Sequence, residues 1–128
     1  MKKIVQTDLA PQAIGPYSQA VQVTCAKMLY VSGTIPLNPQ TMELVGNSAA
    51  EQCEQVMKNL GEVLKAGSAG YADVVKTTIY LTDMNDFVSV NEVYASYFSE
   101  NPPARATVEV SRLPKDVKVE IDAIAVIS

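Results

Sequence analysis

The run from Val117 to Val126 constrains the fold of this chain more than any other, because it alternates between two faces that are both largely apolar. With the two-residue period of a strand, Val119, Ile121, Ala123 and Ala125 share one face, while Glu120, Asp122, Ile124 and Val126 share the other. A strand that is apolar on both sides is covered on both sides. In 128 residues one domain can cover one face with its own helices; the second face then calls for another sheet or another subunit. Glu120 is conspicuous as a carboxylate entering an otherwise hydrophobic face.

The segment before it, Asn101-Pro102-Pro103-Ala104-Arg105-Ala106-Thr107-Val108-Glu109-Val110, begins with two prolines that forbid a helix and extend the residue ahead of each. The chain therefore enters a strand near Arg105 under restraint. Arg105, Thr107 and Glu109 fall on one face of that strand and Ala106, Val108 and Val110 on the other, and the second face reads as core. Leu113-Pro114-Lys115-Asp116 supplies turn chemistry, which predicts that this strand and the last are antiparallel neighbours.

Upstream, Ile4 and Val5 start a short strand, and the prolines and glycine of Ala10 to Ser18 make a stiff loop. Ala20 to Thr24 and Met28 to Ser32 read as a hairpin joined at Cys25-Ala26-Lys27. Ser32 and Gly33 then stand where the chain leaves the sheet, either in a surface excursion or presenting hydroxyl and backbone groups to a ligand. Ser48-Ala49-Ala50-Glu51 is a capping box that opens a helix of about five turns, with Ala49, Cys53, Val56, Leu60, Val63 and Leu64 inward and Gly67 and Gly70 at its end. Val74 to Leu81 is a β-branched run suited to a central strand. A second helix carries Phe87, Val90, Asn91, Tyr94 and Phe98 on its inner stripe, and the amide of Asn91 there is structural or supports a site. The order β-β-β-α-β-α-β-β predicts a single α/β (α+β) domain over residues 1–128, a mixed sheet with two helices on one face.

Composition narrows the function. The chain is 48% apolar and 19% charged, with a formal net charge of -4 and no histidine. Absence of histidine removes Ser-His-Asp and Cys-His pairs, the usual histidine-containing metal sites and any imidazole acid or base. No basic tract suggests nucleic acid as a partner, and no apolar run is long enough for a membrane span, so a cytoplasmic protein is expected. Cys25 and Cys53, far apart and in no paired spacing, read as buried apolar residues.

Several short stretches together, among them Ile14-Gly15-Pro16-Tyr17-Ser18, Val31-Ser32-Gly33-Thr34-Ile35-Pro36, Val90-Asn91, Pro103-Ala104-Arg105 and Arg112-Leu113-Pro114-Lys115-Asp116 through Glu120-Ile121, resemble the Rid family of enamine/imine deaminases, also called the YjgF family. The resemblance spans essentially the whole chain. It implies a chorismate-mutase-like fold, a homotrimer whose sheets line a central β-barrel, and clefts between subunits. It also implies hydrolysis of 2-aminoacrylate-type enamines and imines to 2-keto acids and ammonia, with no cofactor or metal, the ligand being a small 2-imino or 2-keto acid. Arg105 matches the family arginine that grips the carboxylate, and Glu120 the glutamate that positions or activates water. Tyr17, Ser32, Gly33 and Asn91 match the remaining cleft positions. Thr107 stands where many relatives have cysteine; it is a poor nucleophile without a base, so residue 107 is expected to contribute shape and backbone groups to substrate binding. A non-catalytic keto-acid-binding regulator, and less favourably a ribonuclease inhibiting translation, are the alternatives the resemblance carries.

Overall fold

In the computed structural model, which describes residues 2–24 and 27–128, the strands are β1 (Lys2–Val5), β2 (Ala20–Val23), β3 (Lys27–Thr34), β4 (Val74–Leu81), β5 (Ala104–Glu109) and β6 (Val119–Ile127). The helices are α1 (Ala49–Ala66) and α2 (Phe87–Tyr97). β1 and β2 form a two-stranded antiparallel ribbon, and the main sheet has the order β3-β6-β4-β5. β6 is antiparallel to both of its neighbours, and β5 lies parallel to β4. Both helices pack over one face of this mixed sheet, α1 against α2, β3 and β6.

The first helix forms where its local chemistry directs. Ser48 Oγ accepts the Glu51 N–H at 3.1 Å while the Glu51 carboxylate accepts the Ser48 N–H at 3.1 Å, and the Ser48 and Asn47 N–H groups donating to that carboxylate hold it below its ordinary pKa. At the other end the Gly67 and Ala69 amides return to the Leu64 carbonyl. The buried stripe of α1 is Ala49, Gln52, Cys53, Val56, Met57, Leu60 and Leu64. It joins Ile79, Leu81, Val119, Ile121, Ala123 and Ala125 of the sheet and Val90, Tyr94 and Phe98 from the second helical segment. Each large side chain buried this fully contributes about 1.5–3 kcal/mol relative to exposure.

Four expectations are corrected. Val63 is 46% exposed, its place in the stripe taken by Met57 and by Gln52, which donates to the Gly46 carbonyl and accepts the Lys118 N–H at 2.7 Å. β2 and β3 do not form a hairpin, since β2 pairs along its length with β1 and β3 pairs with β6. β5 and β6 are not neighbours either. The helix between β4 and β5 makes them a parallel crossover unit, and β4 then separates β5 from β6. Finally, the core face of β5 is the opposite of the one expected. Arg105 and Thr107 stand beside Thr77 and Ile79 on the helix-covered side, whereas Val108 is 39% exposed on the other. The burial of Cys53 is as expected, and Cys25 lies outside the described residues.

Candidate functional site

Arg105 is the second residue of β5, on the helix side of the sheet at its edge. Its guanidinium carbon lies 5.4 Å from the ring centre of Tyr17, 5.5 Å from that of Phe87 and 5.2 Å from that of Tyr94. Three aromatic faces attract the cation and leave it half-buried. Nη1 donates to Asn91 Oδ1 at 2.6 Å, which answers the question the Asn91 amide raised: it fixes the orientation of the arginine. Burial pulls the Arg105 pKa below its ordinary value, partly offset by Tyr94 and Tyr17. The Tyr94 hydroxyl is 2.7 Å from that of Thr77, and burial pushes it up to about 12, so Tyr94 is a neutral wall.

The cage is assembled from three parts of the chain. Asn91 lies four residues after Phe87 and three before Tyr94, so one stripe of α2 supplies all three. Tyr17 is delivered by the proline-rich loop, which is stitched to the entry of β5: the Ser18 N–H bonds the Pro103 carbonyl at 3.1 Å, and the Ser18 hydroxyl donates to the Pro102 carbonyl. The double proline thus does two things. It aims Arg105, and it offers carbonyls that no ladder has claimed to the loop carrying Tyr17. Thr107 follows on the same face of β5, and its Oγ1 is buried without a hydrogen-bond partner among the described residues.

Glu120 is elsewhere. On β6 its register partner is Tyr80 of β4, and it shares the helix-free face with Asp122. The strand pairing between β3 and β6 skips between Val31 and Thr34, so that Ser32 and Gly33 together oppose Asp122 as a bulge. The Glu120 carboxylate folds over this bulge. A Cβ on Gly33 would come within 2.1 Å of Glu120 Oε2 and 2.8 Å of its Cδ, so the carboxylate can lie where it does only because residue 33 has no side chain. Ser32 is exposed beside it. Desolvation raises the Glu120 pKa, and the Asp122 carboxylate adds to the rise.

The seven candidate residues therefore separate into two groups. Arg105, Tyr17, Asn91 and Thr107 gather on the helix side, while Glu120, Gly33 and Ser32 gather on the other. Phe87 and Tyr94 belong to the first group and were legible only as core stripe; their spacing about Asn91 was the signal. A cleft of about 470 Å³ bounded by Lys2, Asp73, Glu100 and Val126 is lined by neither Arg105 nor Glu120. Among the described residues, no cluster of three or more His, Cys, Asp or Glu side chains could hold a metal ion, and no helix is long and apolar enough to cross a membrane.

Comparison with known proteins places this geometry in a family. Residues 7–127 match the family described as Endoribonuclease L-PSP. Over 126 residues the chain is 50% identical to the 2-iminobutanoate/2-iminopropanoate deaminase of Mus musculus, covering 98% of this chain and 92% of that one. The chain belongs to the Rid family. The protein DfrA of Myxococcus xanthus is 58% identical to this chain over 125 residues, covering 98% and 95% of the two chains. Among solved structures, E. coli TdcF with bound serine superposes with a TM-score of 0.74 at 42% identity, covering 98% of this chain and 99% of that one. The mixed α+β architecture, with two helices on one sheet face, is the Rid fold.

Proposed function

We propose that this chain is an imine deaminase that hydrolyses 2-aminoacrylate-type intermediates to 2-keto acids and ammonia, and that it works as a homotrimer whose sheets close a central barrel. The observation that carries the reading is the caged guanidinium of Arg105. Of its five N–H groups, Asn91 takes one among the described residues, and the remaining fork suits a carboxylate bound through two parallel hydrogen bonds. The relatives named 2-iminobutanoate/2-iminopropanoate deaminase and the serine-bound TdcF both concern small amino- or imino-carboxylates, which supports this ligand class.

In the proposed reaction the enamine takes a proton from solvent at its terminal carbon and releases one from nitrogen, becoming the imine. Water then adds to the imine carbon, and the carbinolamine collapses to keto acid and ammonia. Glu120 accepts a proton from the attacking water and returns one to the departing nitrogen, a task suited to a carboxylate whose pKa lies above its ordinary value. Thr107, with no base beside it, does not attack; it shapes the pocket next to Arg105.

Because Arg105 and Glu120 occupy opposite faces of one sheet, the proposal requires that the Arg105 group of one subunit meet the Glu120 group of the next. The helix-free face supplies a surface for that association: Met28 and Tyr30 are 48% and 68% exposed there, alongside Val108. The family description names an endoribonuclease, but with a net charge of -4 and a single cation within the cage, a small carboxylate fits better than a phosphodiester backbone. The test is release of pyruvate and ammonia from freshly generated 2-aminoacrylate. Acceleration over the uncatalysed rate is expected; unaccelerated release together with tight keto-acid binding would leave a regulator instead.

A further inference from the structure

Beside Glu120 lies a second carboxylate whose partners are all specified. Asp122 is two residues along β6, on the same face, and both of its oxygens are engaged. Oδ1 accepts the backbone N–H of Thr78 at 3.1 Å, and Oδ2 accepts the Tyr80 hydroxyl at 3.0 Å. Tyr80 is also the register partner of Glu120, so its side chain stands on the same sheet face as both carboxylates. Glu120 has no such bonds among the described residues. The two hydrogen bonds fix the place of the Asp122 carboxylate, and a like charge nearby makes ionisation of its unbonded neighbour harder.

We propose that Asp122, locked by Tyr80 and Thr78, is a positioning residue that adds its charge to the burial of Glu120 and so makes Glu120 a stronger base. The inference rests on the deaminase reading for its purpose, but not for its observation. A fixed negative charge keeps Glu120 a stronger base than an isolated surface glutamate. That is the property needed by a group which must take a proton from water and then give one to ammonia.

Within one subunit the groups facing Glu120 are few, and in the proposed trimer the guanidinium of the neighbouring subunit's Arg105 joins them in wild type and Asp122 variants alike. On its own strand there is Asp122; from β4 there is Tyr80, with Lys76 further along at the level of Ile124; from β3 there is the Ser32–Gly33 bulge, with Tyr30 beyond it; and β5 presents Ala106 and Val108 on that face. Among these described residues Asp122 is the only anion. The direction of the Glu120 shift, with Asp122 as a cause after desolvation, agrees with this arrangement. The Tyr80 hydroxyl is likewise shifted up by its bond to Asp122, as a donor to a charged acceptor should be.

The test is a carboxyl-carbon NMR titration of full-length protein labelled at glutamate, with the Glu120 resonance assigned by its loss in Glu120→Gln. The Glu120 midpoint is expected to move to lower pH in Asp122→Asn and to stay near the wild-type value in Asp122→Glu, which keeps the charge. Where turnover is measurable, the acid limb of the pH–rate profile should move with it: activity needs the carboxylate, so lowering the midpoint extends activity to lower pH. Should Asp122→Asn not fold, Asp122→Ser keeps an acceptor for the Thr78 amide and carries the same comparison. An unchanged Glu120 midpoint in the uncharged variant overturns the inference. Because the titration needs no turnover, a wild type without imine hydrolysis would defeat the deaminase reading alone.

Discussion

Replacing Gly33 with alanine tests whether the place of the Glu120 carboxylate matters, without touching Glu120 itself. The added methyl would meet Oε2 at 2.1 Å and Cδ at 2.8 Å, with Cγ at 3.3 Å. Contact has to open by about 1 Å before the repulsion is relieved. The atoms that must yield are the free end of a flexible side chain, so the fold has a cheap response: Glu120 swings away. Folding stability should change by less than about 1 kcal/mol, because the strain is released and the alanine restricts the unfolded chain. Catalysis has no such escape. A misplacement of about 1 Å costs on the order of a hundredfold in rate, roughly 2.7 kcal/mol of barrier. Turnover of freshly generated 2-aminoacrylate, followed by ammonia release, should therefore fall about a hundredfold while the thermal unfolding midpoint stays within a few degrees. Full activity in a stable Gly33→Ala protein would refute the role given to the carboxylate. A large loss of stability would show that backbone, and not Glu120, absorbs the clash.

Arg105→Ala should lose about 2–5 kcal/mol of transition-state binding for a carboxylate-bearing imine, and Arg105→Lys should also fall well short because it keeps the charge without the fork. Comparison with a neutral isostere of the substrate checks this, since the alanine variant should no longer prefer the acid. The Cys53 thiol is fully buried, and burial pushes it up to about 12; in a Cys25→Ser background it should react with a thiol reagent only as fast as the chain unfolds, and rapid modification of the native protein would contradict that. Ser48→Ala removes the acceptor for the Glu51 amide and should cost about 1 kcal/mol in denaturant unfolding.

Local signals in the sequence translated well into structure. The Ser48–Glu51 box placed the start of α1, Gly67 its end, and the β-branched run from Val74 to Leu81 is β4 residue for residue. What the sequence did not disclose is non-local. Adjacent strands were read as hairpins because short connections usually join neighbours, but α2 makes β5 a parallel partner of β4, and β6 inserts between β3 and β4. That choice also decides which face of β5 is covered. Val108 looks like core by hydropathy, yet the covered side carries Arg105, whose charge is tolerated because Tyr17, Phe87, Tyr94 and Asn91 surround it. Period-two reading separated Arg105 from Ala106 and Glu120 from Ile121 correctly. It could not say that Arg105 and Glu120 end on opposite sides of one sheet, because that depends on the pairing and direction of strands far apart in sequence.

The most direct measurement follows from that separation. Arg105→Ala and Glu120→Gln proteins, each inactive alone, should be unfolded together in equal amounts and refolded as a mixture. If the working site joins the Arg105 group of one subunit to the Glu120 group of the next in a closed trimer, every mixed trimer contains one site with both residues intact. Random assembly then restores about one quarter of the wild-type rate. Recovery near that level is the result this account predicts. No recovery, with mixed oligomers shown to be present, would mean that Arg105 and Glu120 do not meet across subunits and would contradict it.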